Sequence, residues 1–138
     1  MDMTTARVLD DVTRARLRRL TTVPDQRIAQ NVIEAALDAD AGLHHRAADM
    51  LCIAIQTKPV FGLVVADGVL EEIAAIRREL AQSPRRFTVQ GCVVDTCLGT
   101  VEAIALGCRM TSLGARIGPL LESLADLAAA RSNVRKAA

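Results

Sequence analysis

Aromatic residues are nearly missing from this chain of 138 residues. It has no Trp and no Tyr, and its two Phe residues are Phe61 and Phe87, although 51% of the residues are hydrophobic. The core must therefore be aliphatic, built from Ala, Leu, Val and Ile, which pack closely but give few large anchors. A chain of this length is large enough for one sizeable core, so we expect a single domain over 1–138.

Strong net charge and long apolar runs are also lacking. The formal net charge is +1, which predicts no general attraction to nucleic acid or to acidic membranes. No run approaches the roughly 18 apolar residues that a membrane span needs. The first residues are polar and lack the apolar stretch of a signal peptide, so we expect a cytoplasmic protein with four reduced cysteines and no membrane partner.

The segment 1–57 predicts helices. A loose apolar stripe favours a helix over 4–20, and Asp25 is placed to cap a second helix. Asp40-Ala41-Gly42 predicts the end of that helix. A third helical pattern begins near Leu43 and continues through Ile55. The first third of the chain is therefore predicted to be helical.

Arginines cluster on the first predicted helix, at Arg14, Arg16, Arg18 and Arg19. Such a run could contact phosphates and would then form a nucleic-acid-binding module. Asp10 and Asp11 lie one turn earlier, where helical ion pairs form. A salt-bridged, solvent-facing helix is the simpler interpretation, and we expect no nucleic-acid partner.

From residue 58 onward the pattern changes. Helices are predicted over 69–82, 95–106 and 117–131, with loops at 83–86 and a frayed tail at 132–138. Strands are predicted over 87–94 and 109–113, and 60–65 predicts a strand or a buried loop. This alternation favours an α/β segment over 58–131, with a small parallel sheet flanked by helices.

An all-α helical bundle is the alternative fold. Seven apolar residues fit one face of a single long helix: Val89, Cys92, Val93, Cys97, Val101, Ile104 and Cys108. Gly91 and Gly99 oppose this helix, at roughly 1 kcal/mol each. The pattern alone leaves both folds open.

Cys97 is the strongest candidate for chemistry in the α/β interpretation. There it lies in the first turn of a helix that follows a strand, with Asp95 as the helix cap. A helix N-terminus presents unpaired amide hydrogens and a partial positive charge, which favour a thiolate. Lys58 and Lys136 are the only lysines, and Lys58 lies in mid-chain beside apolar residues.

These residues give the chain a resemblance to a known family. Gly91, Asp95, Cys97, Thr100, Ala103 and Gly107 follow one another in order, after Lys58, Phe61 and a helix that starts at Val69. Over about 58–113 this arrangement resembles the isochorismatase-like cysteine hydrolases.

The resemblance implies an α/β fold and hydrolysis of an amide or related bond in a small-molecule substrate. It implies Cys97 as nucleophile, Lys58 as the cation that stabilises the thiolate, and no metal or organic cofactor. It also implies a cis peptide near Cys92-Val93-Val94. The family's catalytic acid, which ends a first strand, has no counterpart before residue 50, so the chain is either a degenerate, non-catalytic relative of the family or its likeness to the family is accidental.

A metal site is not predicted. Cys92, Cys97 and Cys108 are separated by four and ten residues, unlike the closely spaced pairs of zinc sites. His44 and His45 are adjacent on a predicted helix and point in different directions, so we expect one to be exposed and the other packed.

The alternative function is a non-catalytic, helix-rich adaptor or regulatory protein. It would act through self-association or through binding a partner. The helices predicted before residue 57 favour this alternative, because the hydrolase family does not predict them. The abundant aliphatic surface predicts a homo-oligomer under either hypothesis.

Overall fold

Helices account for all the regular structure described in the computed structural model, which covers residues 7–23, 27–56, 67–106 and 110–137. The six α-helices are α1 (Asp11–Leu20), α2 (Arg27–Asp40), α3 (His44–Gln56), α4 (Asp67–Ala81), α5 (Val89–Ala105) and α6 (Met110–Ala137). A 3₁₀ turn at Pro84–Phe87 lies between α4 and α5.

The helices pack around two central members, α2 and α5. Helix α2 contacts α3 and α5, while α5 also contacts α4 and α6. Helix α6 packs against α3 and α5, and α1 lies across α2 and α4. As the composition predicts, the core between them is aliphatic, with fully buried residues that include Leu17, Ile33, Leu51, Leu98 and Ile117.

Three helices are present before residue 57, as predicted, although α1 begins only at Asp11, after the non-helical residues 7–10, and the predicted cap Asp25 lies outside the described residues. Asp10 caps α1 by accepting a hydrogen bond from the backbone amide of Thr13 at 2.8 Å. Helix α2 ends at Asp40 and is followed by Gly42, whose φ of 80° is the left-handed conformation that glycine adopts most easily. The amide of Leu43 then donates to the carbonyl of Asp38 at 2.8 Å. The predicted stop at Asp40-Ala41-Gly42 is therefore confirmed.

Asp40 fastens the segment before α1 to the body of the protein. Its buried carboxylate accepts hydrogen bonds from the backbone amides of Val8, at 2.7 Å, and Leu9, at 3.0 Å. Its carbonyl accepts a bond from the side-chain amide of Gln90 on α5, at 2.8 Å. One residue of α2 thus positions two other parts of the chain.

The predicted strand over 87–94 is wrong, because α5 begins at Val89 and continues to Ala105. Thr88 caps this helix by accepting from the amide of Gly91 at 3.0 Å. Helix α5 is covered by α2, α4 and α6, so apolar residues occupy most of its circumference. A helix buried on several sides produces a continuous apolar run, which also resembles a buried strand.

Gly91 and Gly99, which oppose a helix by propensity alone, are explained by packing. A Cβ at Gly91 would lie 2.1 Å from the carbonyl oxygen of Arg85, so only glycine lets the 3₁₀ turn approach α5. A Cβ at Gly99 would lie 3.2 Å from the guanidinium carbon of Arg77, which rests on the helix at this point.

The predicted α/β fold with a small parallel sheet is therefore wrong, and the all-α alternative describes the molecule. Residues 110–113 of the other predicted strand belong to α6, while 60–65 and 107–109 lie outside the described residues. The helices predicted over 69–82 and 117–131 are confirmed in α4 and α6, and α6 extends through Ala137 beyond the predicted tail boundary. Among the described helices, none combines the length and apolar character needed to cross a membrane.

Candidate functional site

Cys97 lies in the middle of α5 and not at its start. Helix α5 begins at Val89, two turns earlier, so the amide hydrogens of its first turn are distant from this thiol. The residue is fully buried, and burial raises the pKa of the Cys97 thiol from 9.0 to about 12. This environment favours the neutral thiol and gives Cys97 none of the activation that a nucleophile requires.

The residues expected to assist Cys97 are placed differently or are not described. Lys58 lies outside the described residues, so its pairing with Cys97 stays an untested prediction. Asp95 is not a helix cap, since it lies within α5 and receives a hydrogen bond from Arg77 at 3.1 Å. The implied cis peptide near Cys92-Val93-Val94 is also wrong, because the described peptide bonds are all trans.

Arg77 joins α4 to α5. Its guanidinium lies over Gly99 and contacts Asp95 at 3.1 Å and Glu102 at 3.2 Å. Hydrogen bonding to Asp95 is the main cause that raises the pKa of Arg77. Asp95, Gly99 and Glu102 follow one stripe of α5. The two carboxylates of this stripe are therefore paired with Arg77 at the contact between α4 and α5.

Two arginines of α1 also form ion pairs that hold this helix against the rest of the protein. Arg16 bonds Glu72 and pairs with Glu79 at 2.8 Å, both on α4. Arg14 pairs with Asp11 and lies 3.5 Å from the buried carboxylate of Asp40. The predicted ion pair within α1 is present for Arg14 and Asp11. Arg14 and Arg16 are mostly buried, however, and Arg16 pairs with α4, so the predicted solvent-facing surface describes only Arg18 and Arg19, which are exposed at the end of the helix.

The histidines occupy contrasting environments, as predicted. His44 is buried and His45 is exposed. Across the described part of the chain, no group of three or more His, Cys, Asp or Glu side chains is arranged to hold a metal ion.

An apolar groove of about 330 Å³ opens on the other side of α5, toward α6. We call it the α5–α6 groove, and its lining residues are Phe87, Val89, Cys92, Val93, Thr96, Pro119, Leu120 and Ser123. Phe87 is 77% exposed and Val89 is 56% exposed. Several large apolar side chains of the described residues are exposed, and Phe87 and Val89 are the pair among them that lines the same groove.

The first wall of the groove is built by the 3₁₀ turn and the start of α5. Phe87 ends the turn, and the guanidinium of Arg86 lies 5.6 Å from the centre of its ring, within cation–π distance. Cys92 is exposed one turn into α5, with its thiol donating to the carbonyl of Arg86 at 3.4 Å. Because Gly91 allows the turn to pack closely, Phe87 is held beside the helix.

The second wall comes from the middle of α6. Pro119 and Ser123 line the groove one turn apart, beside the buried Leu120. Pro119 is exposed inside the helix and has no amide hydrogen for the carbonyl of Ala115. This wall therefore combines a helix-distorting residue with a short apolar surface.

Sequence reasoning missed this groove as a functional surface. Val89, Cys92, Val93 and Thr96 recur at helical spacing, which could have predicted one face of a helix. That signal depended on recognising α5 as a helix from its start. Phe87 is one of only two aromatic residues, and its exposure could not be inferred from the sequence.

Comparison with protein-family models, curated proteins and solved structures finds no match to this chain. The isochorismatase-like hydrolase fold implied by the resemblance is a sheet fold, and the described residues contain no strand. The prediction of that fold is therefore corrected by the helical architecture.

Proposed function

We propose that this protein is a non-catalytic, helix-rich adaptor or regulatory protein that binds a protein partner through the α5–α6 groove. The single observation that carries the proposal is the exposure of Phe87 and Val89 along one apolar groove. Exposed aromatic and aliphatic side chains around a groove are typical of protein interaction sites.

The placement of polar groups supports a binding role over catalysis. The groove offers Thr96, Ser123 and the thiol of Cys92, without a neighbouring histidine or carboxylate in its lining. Such a lining suits the apolar face of a helix, in the manner of helix-in-groove recognition. The thiol that the hydrolase hypothesis needs, at Cys97, is instead sealed in the core.

Alkylation by iodoacetamide near neutral pH separates the two functions. The adaptor hypothesis expects the exposed Cys92 to react much faster than the buried Cys97. Peptide mapping by mass spectrometry gives the rate at each cysteine. Selective labelling of Cys97 ahead of Cys92 would restore the nucleophile hypothesis.

Photo-crosslinking from the groove tests binding directly. A benzophenone maleimide is attached to Cys92 in the full chain that carries Cys52→Ser and Cys108→Ser. After irradiation in an extract of cells that express the chain, we expect one discrete adduct, identified by mass spectrometry. Phe87→Asp should remove the adduct, because it places a charge in the apolar groove.

The matched control moves the probe to α4, using Arg78→Cys in a Cys92→Ser background, since Arg78 is exposed and lies outside the groove lining. Leu43→Asp serves as the second control, because Leu43 is 47% exposed and is not part of the groove. A Cys92 adduct that persists in Phe87→Asp, or equal adducts from both probe positions, would contradict the proposal.

A further inference from the structure

The residues before α1 lie across the body of the molecule as a strap, which we call the N-terminal strap and define as residues 7–10. The carboxylate of Asp40 accepts hydrogen bonds from the strap amides of Val8, at 2.7 Å, and Leu9, at 3.0 Å. The carbonyl of Leu9 accepts a bond from the guanidinium of Arg14 at 2.6 Å. Residues 7–10 belong to no helix, so side chains from elsewhere in the chain supply the partners that hold their backbone in place.

The same strap is bonded to the turn that builds the first wall of the α5–α6 groove. The guanidinium of Arg85, in that turn, donates to the carbonyl of Arg7. Arg85 lies two residues before Phe87, whose ring lines the groove. At the start of α5, the side-chain amide of Gln90 donates to the carbonyl of Asp40 at 2.8 Å. Hydrogen bonds therefore join the strap, the end of α2 and the turn in a closed circuit.

Arg85 connects the strap to the groove because its backbone is bonded to the start of α5. The Arg85 carbonyl accepts the hydroxyl of Thr88 at 2.7 Å and the amide of Thr88 at 3.1 Å. Gly91 leaves room for this carbonyl against the helix. A shift of Arg85 would therefore move Phe87, which lies between Arg85 and Thr88 in the chain.

We infer that the N-terminal strap regulates the groove: the docked strap holds the turn bearing Phe87 in its binding position, and release of the strap weakens partner binding. This inference rests on the proposed function, because it names the regulation of the same site. Coupling between two sites requires an element with two arrangements whose equilibrium both sites influence. Here the two arrangements are the docked and the released strap.

The strap is a segment that can be released while the helices stay packed. Its apolar anchor is small, since Leu9 is buried, Val8 is partly buried and the other two residues are exposed. Segments with few buried apolar contacts open locally at a lower free energy than the core. Helix α1 has separate attachments, through the buried Leu17 and the pairing of Arg16 with α4, so it remains in place when the strap leaves.

Hydrogen–deuterium exchange of the full chain tests the coupling from both ends. Arg85→Met changes an exposed residue and removes the bond between the turn and the strap. The amides of Val8 and Leu9 should then exchange at least about fivefold faster, at the lower end of typical coupling between two sites. In the reverse direction, Leu9→Ala removes the buried anchor of the strap, and the amides of Arg86 and Thr88 in the turn should exchange faster by a similar factor.

Two controls separate this coupling from a general loss of stability. The double variant Leu9→Ala/Arg85→Met should loosen the turn no more than the faster single variant, because both changes break the same connection. Arg19→Met, exposed at the end of α1, should leave the strap and the turn unchanged. In every variant the amides of α6 around Leu124 should change much less than those of the turn, and circular dichroism establishes that each variant is folded.

The benzophenone probe on Cys92 connects the coupling to binding. In the same cysteine background, Arg85→Met should lower the yield of the Cys92 adduct severalfold, whereas Arg19→Met should not. Exchange that is unchanged at the far end of the connection, or equally raised throughout the chain, overturns the inference and leaves the proposed function intact if the adduct still forms. An adduct yield that Arg85→Met does not lower also overturns it. Absence of any Cys92 adduct from the unmutated groove is a failure of the proposed function, and the inference then falls with it.

Discussion

The two flanks of α5 differ in how completely their side chains are used within the molecule. On the flank toward α4, Arg77 bonds Asp95 and Glu102, so each charge has a partner within the molecule. On the flank toward α6, Phe87 and Val89 are exposed along the α5–α6 groove. The first flank is a completed internal contact, whereas the second retains apolar groups that another protein could cover.

The largest expected effect comes from breaking the turn that builds the second flank. Gly91→Ala places a Cβ 2.1 Å from the backbone oxygen of Arg85, so the turn bearing Phe87 must move. We expect a loss of about 3 kcal/mol in the free energy of unfolding, measured by urea denaturation. Gly68→Ala is the control, because its added Cβ has no heavy atom within 4 Å. A Gly91→Ala variant as stable as this control would mean that the turn does not pack tightly on α5.

The stability of the protein at alkaline pH should show whether the Cys97 thiol, in the core between the two flanks, is protected from ionisation. Burial raises the pKa of Cys97 from 9.0 to about 12, so above pH 9 the unfolded chain loses this proton while the folded chain keeps it. The contribution of the Cys97 thiol to the free energy of unfolding is therefore fully present below pH 9 and is lost as the pH rises toward 12. The decrease approaches roughly 1.4 kcal/mol per pH unit.

Urea denaturation across that pH range measures the decrease. Cys97→Ala should reduce the slope with pH, since it removes the ionisable group. The same slope in both proteins would show that Cys97 is not protected from ionisation in the folded state.

Removing the ion pairs of Arg77 on the flank toward α4 should lower the stability of the protein moderately. Arg77→Met leaves Asp95 and Glu102 without their partner, although the arginine is about one-third exposed and solvent screens part of the interaction. We expect a loss of about 1 kcal/mol in thermal or urea denaturation. Arg78→Met, on the exposed side of α4, should cost much less. Equal losses would show that the pairing with Asp95 contributes nothing measurable.

The smallest expected effect on monomer stability belongs to the groove itself. Phe87→Ala removes a side chain that is 77% exposed, so the folded monomer should lose less than about 0.5 kcal/mol at high dilution. Leu98→Ala, on the fully buried side of α5, should cost about 3 kcal/mol. A large loss from Phe87→Ala in the dilute monomer would assign this ring to the core and contradict its role as a binding group.

The sequence predicted the amphipathic helices well. Helix α4 has one solvent face, so Val69, Ile73, Ile76 and Leu80 recur at the spacing of a single buried stripe. The end of α2 was also predictable, because Gly42 supplies a local conformational signal. These features depend on residues that are near one another in the chain.

Helix α5 could not be assigned from such local sequence signals. Its valines and glycines are typical of strands and turns, and its apolar run is explained by neighbours on several sides. The close approach of Arg85 to Gly91, and of Arg77 to Gly99, exists only in the folded molecule. The predicted position of Cys97 in a first helical turn is wrong for the same reason, because α5 begins two turns earlier, at Val89.

The exposed ring of Phe87 also makes the molecule unusually convenient to observe. With no Trp and no Tyr in the chain, Phe87→Trp would introduce its sole indole, at the mouth of the groove. The fluorescence of this indole would report the solvent exposure of that one position, without a contribution from other Trp or Tyr residues. It would therefore follow occupancy of the groove in real time.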